Sequence, residues 1–95
     1  MPPCHRQDDF DTGHGCFPPR KTSSYASITY ANNKLIHRKG DAYPTHCCGN
    51  PCHPGTGSSG SSTVIVENSN CRRIGDPLNC GGVAATGSPN VIVGG

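Results

Sequence analysis

Three metal-capable side chains stand at matching distances behind three aspartates. His14 lies five residues after Asp9, His46 five after Asp41, and Cys80 four after Asp76. Imidazole nitrogen and thiolate sulfur are both ligands for zinc, whose filled d-shell imposes no geometry and which settles into a tetrahedron. A fourth candidate, His53, follows His46 by seven residues in the longest loop. Three imidazoles and one thiolate would fill every position of such a site, and a site closed in this way is structural rather than catalytic.

The register carries weight because the aspartates belong to a repeated phrase. Arg38-Lys39-Gly40-Asp41 recurs as Arg73-Ile74-Gly75-Asp76, with a degraded copy in Arg6-Gln7-Asp8-Asp9. A second phrase, Gly60-Ser61-Ser62-Thr63-Val64-Ile65-Val66, returns as Gly87-Ser88-Pro89-Asn90-Val91-Ile92-Val93. The chain reads as one domain, 1–95, of three repeats spanning roughly 3–34, 35–69 and 70–95. Equivalent positions meet near a common axis if the repeats wind round it, and His14, His46 and Cys80 would then converge. A lone loop histidine is ordinarily only solvated; the shared register sets these apart.

The elements that would position them are short. With 13 Gly and 9 Pro and no window of helical apolar spacing, the chain is all-β. Strands are expected at Ser27 to Ala31, Thr63 to Val66 and Asn90 to Val93. Asn32-Asn33 and Asn68-Ser69 should make hairpin turns, since Asn tolerates the left-handed conformation. Gly40 and Gly75 permit a positive φ before an Asp that can hold the following loop, whereas Asp8 at the matching place should be strained or turn differently. Gly55 to Ser62 reads as a flexible loop feeding a strand.

Composition limits what such a chain can be. At 95 residues, 32% hydrophobic, with two Phe and no Trp, the core must be thin and needs a staple. Seven cysteines are dense enough for a disulfide scaffold, but the number is odd and five histidines share the same segments. Without an export signal that mixture reads as metal ligation in a reducing compartment. A rival site is local: Cys47, Cys48, Cys52 and His53 lie within seven residues, and Cys48-x-x-x-Cys52 has ligand spacing. The dispersed site is favoured because it uses the repeats. Cys4, Cys16 and Cys71 then remain as small buried hydrophobes.

Other classes find little support. The formal charge of +2 is small and the basic residues are scattered, which argues against nucleic acid as a partner. The longest aliphatic run is Val64-Ile65-Val66, and Met1-Pro2-Pro3 begins no secretory signal, so the chain is expected to be soluble and uncleaved. Asp8, Asp9 and Asp11 lie beside a turn, where capping is the commoner role than acid–base work, and no Gly-rich segment has the Lys of a phosphate loop. No enzymatic activity is expected.

Gly-Ser, a Val-x-Val strand, an Asn turn, four residues ending in Arg, then x-Gly-Asp and Cys80-Gly81-Gly82 together resemble the PAAR-repeat family. The resemblance covers nearly the whole chain and is strongest from Ser59 to Gly95. The eponymous Pro-Ala-Ala-Arg is degenerate: Pro3-Cys4-His5-Arg6, Leu35-Ile36-His37-Arg38 and Asn70-Cys71-Arg72-Arg73 stand in its place and keep only the Arg.

The resemblance implies a cone of β-hairpins with pseudo-threefold symmetry, seated on a trimeric β-helical spike. It implies a zinc, or iron, near the apex on His14, His46, His53 and Cys80, with Cys52 competing for the place of His53. It further implies a tip that caps the membrane-puncturing spike of a contractile phage tail, located on the virion baseplate. A type VI secretion spike, with the protein in the bacterial cytoplasm before release, is the close alternative. With no extension beyond the third strand, a bare tip is expected. Strand addition to the spike would use Ile28, Tyr30, Val64, Val66, Val91 and Val93. More distant alternatives are a small zinc-binding interaction module built on the local cluster and a disulfide-rich secreted scaffold.

Overall fold

Two tight turns set the first and last hairpins. In the computed structural model, which describes residues 1–95, β1 (Tyr30–Ala31) pairs antiparallel with β2 (Lys34–Leu35) across Asn32 and Asn33, at φ 56° and 66°. A two-residue hairpin connection of type I′ needs left-handed backbone at both positions, which Asn supplies at low steric cost. After β3 (Ala42–Cys47) and β4 (Cys52–Thr56), β5 (Ile65–Val66) pairs with β6 (Ser69–Asn70). Here the turn residues are Glu67 and Asn68, at φ 48° and 70°, and not Asn68-Ser69, because Ser69 already belongs to β6.

Glu67 also holds the segment before β1. Its carboxylate accepts hydrogen bonds from the backbone N–H of Ser27 (2.9 Å) and Ile28 (3.1 Å) and from the hydroxyls of Ser27 and Thr29. These donors, the Ser27 amide foremost, hold its pKa down to about 2.

The Arg-x-Gly-Asp phrase folds the same way three times. In each copy the Asp amide donates to the Arg carbonyl at 3.0 Å. The carboxylate in turn accepts from the Arg backbone N–H and Nε, making the pairs Arg6–Asp9, Arg38–Asp41 and Arg73–Asp76 at 2.9, 2.8 and 3.0 Å. The aspartate therefore clamps the arginine before it rather than the loop after it. Gly40 and Gly75 sit at φ 90° and 95°, and Asp8 at 70°. The degraded first copy thus turns as the other two do, a short polar side chain being tolerated in the left-handed region.

The copies interlock through their backbones. His5 N–H donates to Arg72 O (3.0 Å), Arg72 N–H to His37 O (3.1 Å) and His37 N–H to His5 O (3.0 Å), closing a ring. A second set runs from Gln7 to Leu35, from Lys39 to Asn70 and from Ile74 to Pro3. Because these links are single bridges, regular strands are shorter than expected. Only Tyr30–Ala31 of the first expected strand is paired, and Asn90–Val93 holds one bridge, Pro3 to Ile92.

The longest ladder, β3–β4, falls in the segment read as loop. Gly55 and Thr56 end β4 instead of starting a flexible stretch. Pro44, Pro51 and Pro54 mask the hairpin in the sequence. It forms because Gly49 turns at φ 68°, Cys48 N–H bonds Pro51 O, and a disulfide joins the cross-strand pair Cys47 and Cys52.

The apolar core is small: Cys4, Ala26, Ala31, Ile36, Val66, Cys71 and Val93, with Val91 packed against it. Beside it lies a buried polar layer of His5, His37, Tyr43 and Arg72. His5 Nδ1–H donates to Thr86 O (2.7 Å), so its Nε2 accepts from the Tyr43 hydroxyl (2.9 Å), which in turn accepts from Arg72. His37 Nδ1 accepts from Arg72 (3.3 Å). Arg72, wholly buried without a carboxylate partner, spends its other N–H groups on the carbonyls of Ser59, Asp76 and Pro77. Burial, with the charge of Arg72, pushes His5 down to about 4 and His37 to about 2, so both are neutral. Every buried side-chain nitrogen and oxygen has a partner.

Candidate metal centre

The hairpin β3–β4 places His46 and His53 directly opposite one another. His14 comes from the first loop, where its backbone exchanges two hydrogen bonds with Phe17 (3.1 and 2.9 Å). Cys80 sits in a turn whose Gly81 and Gly82 take φ 110° and 76°. Their nitrogens and sulfur all lie within 4.8 Å of one another. Sequence spacing of 66 residues between His14 and Cys80 collapses because the repeats fold back on each other.

The donor atoms suit a single ion. His46 Nε2 is 2.8 Å and His14 Nε2 3.1 Å from His53 Nε2. Zinc–nitrogen bonds of about 2.0–2.1 Å at tetrahedral angles put ligand nitrogens about 3.3 Å apart, so these two nitrogen pairs need only a slight spreading to seat one. His46 donates Nδ1–H to Pro18 O at 2.9 Å, which leaves the Nε2 lone pair facing the cluster. Loss of water, followed by the nearness of His46, His14 and Arg20, lowers the pKa of His53 and favours the unprotonated, ligating form. The group can hold a metal ion with no position left open for substrate.

Two residues with no counterpart in the repeats complete the surroundings. Phe17 lies against all three imidazoles, with ring centroids 4.8, 4.8 and 4.4 Å from His14, His46 and His53. Arg20 forms an almost fully buried ion pair with Asp11 (3.0 Å) and reaches Cys80 Sγ at 3.4 Å. Gly55 in β4 makes room for this contact, since a Cβ there would stand 2.7 Å from Arg20 Nη2 and 3.0 Å from Cys80 Sγ. No spacing rule points to Phe17 or Arg20, because nothing in the other copies matches them.

The cysteines correct the sequence reading. Cys16 is disulfide-bonded to Cys48, and Cys47 to Cys52. Cys16 is therefore no buried hydrophobe, the local set of Cys47, Cys48, Cys52 and His53 has no free thiolate, and Cys52 is no rival to His53. Disulfides, weighed below metal in the sequence, are present beside the four-donor cluster. Cys4 and Cys71 are buried free thiols as expected, and Cys80 is the third.

The proposed edge residues divide. Ile28, Tyr30 and Val64 are exposed, but Val66 and Val93 belong to the core and Val91 packs on it. Alternation along extended backbone turns the neighbours outward instead, leaving Ile65 and Ile92 about as exposed as Tyr30, at 57%, 50% and 60%. Of the carboxylates considered for acid–base work, Asp9 and Asp11 are clamped by arginines and Asp8 lies 3.9 Å from Lys34.

No protein-family model matches the chain, and a search of curated proteins finds no match for it.

Proposed function

We propose that the chain is the tip that caps and sharpens the trimeric β-helical spike of a contractile phage tail, with one structural metal ion in the His14, His46, His53 and Cys80 cluster. The observation that carries this reading is the equal treatment of equivalent residues. Tyr30, Ile65 and Ile92 stand at matching positions of the three copies and are similarly exposed, while His5, His37 and Arg72 close one backbone ring. Such recurrence supports a pseudo-threefold cone, the form in which one chain offers three similar faces to a trimer. Extents of 38 × 24 × 21 Å, with two similar short axes, fit that form.

The thin core fits the same role. A tip that pierces an envelope must be stiff, and binding energy of structural zinc, about 10 kcal/mol, would become folding energy at the point where packing is sparse. Zinc suits the donors best, and iron is the other candidate. Exposed apolar side chains beside short strand edges would continue the β-structure of the spike.

The test is native mass spectrometry of the protein mixed with its cognate trimeric spike. One tip per trimer is expected, and an Ile65→Asp variant should bind more weakly. A three-to-three complex would overturn the reading. The two disulfides favour a second reading, an extracellular disulfide-stapled module; a folded, metal-loaded protein that binds no spike trimer, of phage or secretion-system type, would move the assignment there.

A further inference from the structure

Five of the seven cysteines are accounted for by two disulfides and the metal cluster. The other two meet in the core: Cys4 Sγ and Cys71 Sγ are 3.8 Å apart, and the residues are 0% and 1% exposed. They occupy the same place in the first and third copies, where the second copy has Ile36. Their segments are already fastened side by side by the Cys4–Arg73 bridge and the bond from His5 N–H to Arg72 O. Apart from each other, the two sulfurs have as hydrogen-bond partners only the carbonyls of their neighbours His5 and Arg72, at 3.7 and 3.8 Å. Ala26 and Ala31, both small, belong to the same cluster.

We propose that Cys4 and Cys71 form a third, latent disulfide that ties the first repeat to the third and leaves Cys80 as the single thiol of the chain. The odd number of cysteines then resolves into three pairs and one free thiol, Cys80. Bond formation asks the sulfurs to approach by somewhat under 2 Å, to the disulfide length of about 2.05 Å. It does not depend on the metal reading.

The step balances against a small disulfide such as oxidised glutathione. One thiol loses its proton and attacks the glutathione disulfide, forming a mixed disulfide and releasing one glutathione. The second thiol, deprotonated in turn, attacks the protein sulfur of that intermediate and releases the second glutathione. Two protein thiols are oxidised and one glutathione disulfide is reduced. Since both sulfurs are buried, the exchange takes place during folding, before the core closes.

The experiment refolds fully reduced chain in a glutathione redox buffer, blocks thiols with iodoacetamide in denaturant and maps them by peptide mass spectrometry. One alkylated cysteine, Cys80, with a Cys4–Cys71 linked peptide is expected. The C4A variant should leave Cys71 alkylated, keep the other two bridges, and unfold at lower denaturant concentration than the oxidised wild type. Alkylation of Cys4, Cys71 and Cys80 together in the refolded wild type, or linkage of Cys4 or Cys71 to any other cysteine, would overturn the proposal.

Discussion

Arg20 Nη2 stands 3.4 Å from Cys80 Sγ while Nε of the same guanidinium binds the Asp11 carboxylate at 3.0 Å and Nη1 the Pro44 carbonyl at 2.9 Å. One side chain thereby joins the first loop, the start of β3 and the turn that carries the only sulfur of the cluster. The guanidinium also lies over the Tyr43 ring, 5.5 Å from its centroid, linking the cluster to the buried polar layer. An N–H donor on a metal-bound thiolate offsets part of its charge and fixes its direction.

This relationship separates two variants. Cys80→Ser should abolish metal retention, and in cobalt-loaded protein it should remove the sulfur-to-cobalt absorption band. Arg20→Gln should keep that band but shift it, and should lose roughly 3 kcal/mol of stability, because Asp11 is left buried without its cation and keeps only the Gly13 and Arg20 backbone N–H donors. Full metal content in Cys80→Ser would rule out this donor set.

The disulfides flank the histidines: Cys16 is two residues from His14, and Cys47 and Cys52 adjoin His46 and His53. Removing Cys16–Cys48, which spans 32 residues, should cost on the order of 3 kcal/mol in chemical denaturation. It should also weaken metal binding in a competitive chelator titration, since the first loop is no longer held against the hairpin. Unchanged affinity in the Cys16→Ala, Cys48→Ala double variant would mean that the loop is organised by other contacts.

The left-handed turns predict an order of tolerance. A Cβ at Gly75 meets nothing within 4 Å, so substitutions there act through φ of 95° alone. Gly75→Asp, which copies the conformation Asp8 already adopts, should cost about 1 kcal/mol or less, and Gly75→Val clearly more. Equal thermal midpoints for the two variants would contradict this account.

Acid should destabilise the fold through His5 and His37. Both are neutral when folded, with pKa values lowered to about 4 and about 2, and they charge near 6.5 when unfolded. Because the unfolded chain binds the extra protons, stability is full above pH 6.5 and falls as pH drops, towards 4 for His5 and towards 2 for His37. Glu67, held low in the fold, adds to the loss below its ordinary value of 4.5. His5→Gln should flatten denaturation midpoints plotted between pH 6.5 and 4 relative to wild type. An unaltered slope would remove His5 from the explanation.

The Arg-x-Gly-Asp turns and the Asn32-Asn33 hairpin are local, set by residues that tolerate positive φ, and could be read directly. The second turn lies one residue before the Asn68-Ser69 pair, since nothing in Glu67 advertises a left-handed conformation when its carboxylate is bound by Ser27 and Thr29 from afar. The proximity of His14, His46 and Cys80 was legible because repetition converts sequence register into spatial register.

The all-β class, the three copies and the approach of His14, His46 and Cys80 are written in the chain itself, because they rest on period and on local backbone preference. The partners of Cys16, Cys47, Cys48 and Cys52, the meeting of Arg20 with Cys80, and the burial of His5, His37 and Arg72 arise only in the packed fold. Each of these depends on which distant segments share space once the copies interlock, and a thiol or guanidinium carries no local mark of the group that it will meet.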